Sequence, residues 1–341
     1  MSVESGGAAG EGGVRAVSAG AAAGRVRAPG HATGPNGGTA VLGALSGEGV
    51  AARVGRRVGL YARFVKLSHT GFALPFALVG AILASYRYPV GATDLLWIVV
   101  AFTAARFAAM GFNRIVDREL DARNPRTSDR ELPAGRLSVG EAKLAVAAAS
   151  TVFVLAAGML NPLCLALSPV ALAAVLLYSY AKRFTAWTHV LLGIADGIAP
   201  GAGYLAIAGE WSEPWFLLPL LLLAVAFWVG GFDVLYSLQD VEMDRRSGLH
   251  SVPARFGRRA ARWVAGTFHV GTVVCLAAVP AAMPELGAGY AAGLAVAATL
   301  LGLEHGLFDP DSPAAVQRAF FTLNVWLSSA FTLLVLADRL L

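Results

Sequence analysis

Asn113-Arg114-Ile115-Val116-Asp117-Arg118-Glu119-Leu120-Asp121 follows directly on a mostly apolar run at 94–112. Residues four apart on a helix advance only about 40° around its axis, so Asn113, Asp117 and Asp121 share one face. Arg114, Arg118 and Glu119 point elsewhere. A relative of this stretch recurs far downstream as Asp233, Tyr236, Asp240 and Asp244, again after a long apolar run. Offsets of seven and eleven residues return to nearly the same angle, which predicts a second single stripe. Carboxylates four apart are common on solvated helix faces. Beside membrane-spanning runs they are costly, and there they pair or line a polar cavity. Two clusters of one sign repel unless cations lie between them. Mg²⁺ suits the role, because it takes one or two carboxylates, keeps waters and completes its shell with phosphate oxygens.

The runs that flank these stretches set the class. Of 341 residues, 56% are hydrophobic and only 14% charged, and the mean hydropathy is +0.61. A soluble domain carries roughly 25% charged residues. An all-α polytopic membrane protein is therefore expected. Apolar runs at about 68–86, 94–112, 139–160, 163–181, 187–208, 214–237, 261–282, 286–304 and 316–338 predict nine transmembrane helices. Residues 1–55 are rich in Gly, Ala and Ser and hold no aromatic residue. They read as a disordered, dispensable tail, with 56–341 as the transmembrane domain. Cys164 and Cys275 lie inside separate apolar runs and read as small core residues, neither a disulfide nor a thiolate metal site.

The net charge of +5 is informative through its placement and gives no nucleic-acid signal. Arg123, Arg126, Arg130 and Arg136 follow the second run. Lys182 and Arg183 follow the fourth, and Arg245, Arg246, Arg255, Arg258 and Arg259 follow the sixth. The intervening connections are nearly free of Lys and Arg. The positive-inside rule thus puts the N-terminus and these three loops in the cytoplasm, with the chain in the cell membrane. The connection at 305–315, with Asp309 and Asp311, fits this pattern least. Helices two, four and six then all end at the cytoplasmic side. Their ends carry Asn113, Asp117 and Asp121, then Tyr178, Tyr180 and Lys182, then Asp233, Tyr236, Asp240 and Asp244. One central polar pocket open to the cytoplasm accounts for all three.

Acids with Mg²⁺, beside Arg and Lys, describe a site for a diphosphate. Apolar helices around it suit a hydrocarbon chain, and a polyprenyl diphosphate has both halves. Its reaction is ionisation of the allylic carbon–oxygen bond, in which Mg²⁺, Lys182 and Arg side chains stabilise the departing group. Tyr178 and Tyr180 offer ring faces to the allylic cation, and a lipid-embedded pocket keeps water away. The acids themselves have little to pack against, so Asp117→Ala and Asp240→Ala are expected to leave the fold intact.

These residues also carry a resemblance. Asn113 to Asp121, continuing through Asn124-Pro-Arg126-Thr127 and Arg130-Glu-Leu-Pro-Ala-Gly135-Arg-Leu-Ser138, resembles the first signature of the UbiA superfamily of intramembrane prenyltransferases. Tyr178-Ser-Tyr-Ala-Lys182 matches its Tyr-x-x-x-Lys element, and Asp233 to Asp244, then Gly248 and Ser251, is similar to its second signature. The resemblance runs from about residue 60 to the C-terminus. It implies a nine-helix fold, Mg²⁺ dependence, and prenyl transfer to an aromatic or other lipid-soluble acceptor. By it, Asp117, Asp121, Asp240 and Asp244 would hold Mg²⁺–diphosphate beside Asn113, with Lys182 and Arg126 on the diphosphate. Arg130-Glu-Leu-Pro departs from the Arg-Pro-Leu of many hydroxybenzoate enzymes. The stretches Lys66-Leu-Ser-His69-Thr-Gly-Phe-Ala-Leu-Pro75-Phe and Leu192-Gly-Ile-Ala-Asp196-Gly resemble a branch that prenylates a dihydroxynaphthoate acid in menaquinone biosynthesis.

An acceptor bearing a carboxylate needs a further cation. Arg106 lies inside the second apolar run, seven residues before Asn113 and on nearly the same face, about 10 Å deeper. Either the acceptor carboxylate or Asp196 is expected to pair it. A different acceptor (haem, a tetrapyrrole or a lipid) stays open. From another class, so does a cation-coupled transporter, whose acids tend to lie near the bilayer midplane on broken helices.

Overall fold

The computed structural model describes residues 50–66 and 70–341, and its described residues are helical, without strands. In chain order the helices are α1 (Val50–Phe64), α2 (Thr70–Ser85), α3 (Ala92–Arg123), α4 (Val139–Leu160) and α5 (Pro162–Leu177). They continue with α6 (Thr188–Ala208), α7 (Leu217–Tyr236), α8 (Val241–Arg246), α9 (Val252–Ala282), α10 (Ala288–Leu307), α11 (Pro313–Val316) and α12 (Asn324–Leu340). Ends follow local chemistry. Ser138 and Glu141 cap α4 reciprocally, the Ser138 hydroxyl accepting from the Glu141 N–H at 3.2 Å and Glu141 accepting from the Ser138 N–H at 3.0 Å. Asn161 caps α5 ahead of Pro162 at its first position.

Among the described residues, eight helices are long and apolar enough to cross a membrane. The run expected at 68–86 gives the 16-residue α2, shorter than the roughly 20 residues a span needs. Two further boundaries differ from expectation. Helix α3 runs 32 residues and carries the first acidic stretch on its own axis. Helix α9 starts at Val252 rather than near 261, because its basic first turns are helical too, with a kink at Gly257 (φ 87°).

Within residues 54–341 the helices pack in chain order from α2 through α7, then α9, α10 and α12, and α12 returns to α2. A contact of α2 on α6 crosses this ring and divides it. Small residues make the crossing possible. A Cβ on Gly203 would run into the Ala77 carbonyl, and one on Gly80 into that of Pro200. On one side of the crossing, α2, α6, α7, α9, α10 and α12 fill their shared space with Phe76, Trp228, Phe232, Leu276, Tyr290 and Phe331. Two polar side chains from separate helices are paired there. The Trp228 indole donates to Asn324 Oδ1 at 2.6 Å, and Asn324 reaches Glu304 at 3.4 Å. On the other side, α3 to α7 surround a cavity of about 870 Å³.

Candidate active site

At about 1.5 Å per residue, α3 is some 48 Å long, against roughly 30 Å of hydrocarbon. Its last turns therefore project Asn113, Asp117 and Asp121 beyond the apolar section while keeping them on one stripe of the cavity wall. Each acid already holds a cation. Asp117, 2% exposed, binds Lys182 and, at 3.0 Å, Arg183, while Asn113 donates to it at 3.4 Å. Asp121, 6% exposed, takes Arg130 at 2.7 Å and faces Arg114 at 3.9 Å.

The second acidic stretch is not the single helical stripe that its spacing predicts. Helix α7 ends at Tyr236, Ser237–Gln239 tighten into a 3-10 turn, and α8 restarts after Asp240 (φ −104°, ψ 4°). All four members still line the cavity. The loop after α3 ties the two stretches together. Arg126 binds Asp240 through two nitrogens and donates to the Tyr236 hydroxyl at 3.0 Å. Asp244 accepts from Ser251 at 2.7 Å, and burial raises its carboxyl above the usual range against that bond. Lys66 also lines the cavity, in the left-handed region (φ 48°) that residues other than glycine seldom adopt. Burial, with Arg114, Arg130 and Arg126 nearby, pushes its ammonium down to about 8.

Deeper along the cavity stand Arg106, Asp196, Tyr178, His189 and Asp233. Arg106 pairs with Asp196 at 3.7 Å, and the charges of both, with those of Asp233 and Asp117, reach Tyr178. Tyr180 does not belong to the site. It is 41% exposed, edge-on to Phe112 and under the Arg183 guanidinium, because the 3-10 turn Tyr178–Arg183 turns successive side chains apart. His69 lies outside the described residues.

Four contributors escape sequence reasoning. Arg183 is one of many arginines near helix ends, and Arg114, on α3 itself, lies off the stripe of Asn113, Asp117 and Asp121. Phe320 arrives from a π-helical turn, Gln317–Leu323, and packs on Tyr236 at 4.2 Å. His189 binds Asp233 at 2.7 Å, and its one signal was a histidine opening an apolar run after Lys182-Arg183.

The mouth of the cavity thus offers hard carboxylate oxygens and cationic side chains side by side. Among the described residues no three metal-type side chains gather tightly enough to cage an ion. Mg²⁺ does not require that, since one or two carboxylates with water and phosphate oxygens complete its shell. Asp121 Oδ2 faces Arg114 at 3.9 Å but is buried with no hydrogen-bond partner among the described residues, which leaves it an oxygen that a closer cation would satisfy. The donor set fits this ion together with a diphosphate.

Comparison with known proteins agrees with this geometry. The profile of the UbiA prenyltransferase family matches residues 73–327. A 4-hydroxybenzoate octaprenyltransferase of Thiobacillus denitrificans is 33% identical over 238 residues, 69% of this chain and 79% of that one. The enzyme of the same description from Methylobacillus flagellatus is 33% identical over 76% of this chain and 86% of its own length. An apo UbiA homologue from Aeropyrum pernix K1 superposes with a TM-score of 0.72 at 34% identity, covering 80% of this chain and 98% of its own. A UbiA homologue from Archaeoglobus fulgidus, solved with GPP and Mg²⁺, shares the fold with a TM-score of 0.62 at 18% identity, over 82% and 99%. The chain is a membrane-embedded member of the UbiA prenyltransferase family.

Proposed function

We propose that the protein transfers a polyprenyl group from its diphosphate to an aromatic acid in quinone biosynthesis. The acceptor is of the 4-hydroxybenzoate type or, by the stretches around Lys66 and Leu192, a dihydroxynaphthoate leading to menaquinone. The 4-hydroxybenzoate relatives support the first, and the single observation that carries an acid acceptor is Arg106. Its guanidinium lines the cavity wall below the acids, where it pairs with Asp196 at 3.7 Å. A carboxylate entering the cavity would find a cation there. In this reading α2 also crosses the bilayer, giving nine spans, and the cavity mouth opens to the cytoplasm.

Asp117, Asp121, Asp240 and Asp244 would hold Mg²⁺, which when bound neutralises the diphosphate and eases its departure. The diphosphate competes with Asp117, Asp121 and Asp240 for Lys182, Arg183, Arg130 and Arg126, so the same cations serve substrate and acids in turn. Arg126 and Arg130 sit on the loop over the mouth, where they exclude water as well as hold charge. The Tyr178 ring faces the cavity and favours positive charge on the allylic carbon. The apolar walls, including Phe102, Phe153 and Leu167, receive the prenyl chain.

The test is direct. Purified protein with Mg²⁺ and a labelled prenyl diphosphate meets phenolic and naphtholic acids alongside their decarboxylated analogues, with products read by mass spectrometry. The acids should be prenylated and the analogues poorly used. Arg106→Met should raise acceptor KM about tenfold or more with KM for prenyl diphosphate unchanged. Equal use of the analogues would remove Arg106 from acceptor binding, and no adduct at all would remove the aromatic acceptor.

A further inference from the structure

Prenylation of an aromatic carbon releases a proton that some group must accept. Most cavity acids are poorly placed to do so. Asp117, Asp121 and Asp240 hold ammonium or guanidinium groups, Asp196 faces Arg106, and Asp244 accepts a hydrogen bond from the Ser251 hydroxyl. A carboxylate beside a fixed cation is a weak base. Asp233 differs. It sits on α7 within the deeper layer, its side chain 24% exposed to the cavity, and its Oδ2 meets His189 Nδ1 at 2.7 Å.

The state of that histidine can be read from its other nitrogen. The Val252 N–H is directed at His189 Nε2 at 3.4 Å, so Nε2 accepts and Nδ1 carries the proton donated to Asp233. His189 is 2% exposed, held between the start of α9 and the carboxylate. Helices α6 and α7, which carry the pair, are in backbone contact. A Cβ on Gly193 would collide with the Ala226 carbonyl. Asp233 is therefore fixed by a neutral donor on one oxygen. Its Oδ1 accepts no hydrogen bond from the described residues and is turned to the cavity that Arg106 and Tyr178 share.

We propose that Asp233 is the base of the transfer and that His189 is its positioning residue. This rests on the aromatic acceptor proposed above. As the carbon–oxygen bond to diphosphate breaks, a ring carbon beside the phenolic hydroxyl forms the new carbon–carbon bond. The hydrogen on that carbon leaves as a proton to Asp233 Oδ1, and its electron pair restores the aromatic ring. The proton then passes to the departing diphosphate, the more basic anion, and Asp233 is again a carboxylate.

A ring-deuterated acceptor tests this, because only proton removal senses the label. In the unaltered enzyme kcat should show an isotope effect near unity. In Asp233→Asn and His189→Ala, kcat should fall about tenfold or more and the isotope effect rise to about 2 or above, as proton transfer becomes limiting. His189→Asn keeps an amide N–H for Asp233 and should recover most of the rate with an effect near unity. Thermal stabilisation by Mg²⁺ with a prenyl thiodiphosphate reports which variants fold and bind. If His189→Ala fails there, Asp233→Asn and His189→Asn carry the test. Slower variants with an isotope effect still near unity would overturn the assignment and leave the acceptor reading intact. An unaltered enzyme that prenylates no phenolic acid overturns both.

Discussion

Asp117 shows what a single residue in this site does. Sequence reasoning treated the motif acids as side chains with little to pack against, removable without harm to the fold. In the structure Asp117 is 2% exposed and is the common partner of Lys182, Arg183 and Asn113. Its removal strands two cations that are themselves about one-third exposed, so water offsets part of the loss. Asp117→Ala should cost about 1–3 kcal/mol of stability in addition to abolishing transfer. Asp117→Asn, which keeps the shape and loses the charge, separates the two effects. Thermal melts in detergent beside turnover assays make the comparison. Turnover near normal in Asp117→Asn with Mg²⁺ present would take this residue out of the diphosphate site. The spacing of Asn113, Asp117 and Asp121 was enough to find the carboxylate, because helical periodicity needs only local sequence. Which arginines reach it depends on the fold of the loop and the 3-10 turn, and no local pattern marks Arg183 or Arg114.

The same division between local and tertiary information holds for elements. Apolar runs located the apolar sections of the long helices, since apolarity and the length needed to cross a bilayer mark them directly, but not the polar extensions of α3 and α9. The break between α7 and α8 was not legible. Asp233 to Asp244 has a helical period throughout, and the turn at Ser237–Gln239 forms where Arg126 from a distant loop binds Asp240 and Tyr236. Nor could the sequence say which small residues mark contacts. Gly203 and Gly140 look alike in sequence, yet only the first abuts a neighbouring backbone. A Cβ on Gly203 meets the Ala77 carbonyl of α2, whereas one on Gly140 meets nothing. Gly203→Ala should therefore destabilise the protein by about 1–3 kcal/mol, by forcing α2 away from α6. Gly140→Ala should be neutral or slightly stabilising, both judged by melting temperature in the same detergent. Equal melting temperatures would mean that the α2–α6 crossing tolerates a methyl group.

Across the whole molecule, the crossing of α2 on α6 separates a filled half from a hollow one, and charge separates the two ends. One end gathers the loop at 124–138, the turn at 178–183 and helix α8, and there Arg126, Arg130, Lys182 and Arg183 face the acids of the cavity mouth. At the other end, cations are few and matched. Arg87 binds Glu285 at 2.9 Å, Tyr88 donates to Glu210 at 2.8 Å, and Asp338 takes Tyr86 and the Gly287 N–H. Arg87, the exception in a connection otherwise poor in Lys and Arg, is neutralised and adds little to the positive-inside bias. Arg126 and Arg130 are likewise occupied, so their place in the loop has a reason beyond orientation. The remaining asymmetry, with exposed Arg123, Arg245 and Arg246 at the mouth end, is what supports the cytoplasmic orientation proposed for that end. Ser128 and Glu213 are exposed residues of opposite ends. Single cysteines at these positions, in a chain lacking Cys164 and Cys275, should answer oppositely to a membrane-impermeant thiol reagent added to intact cells. Position 213 should be labelled at once, and position 128 only after the membrane is opened. Labelling of position 128 in intact cells would invert the proposed topology and place the cavity mouth outside the cytoplasm.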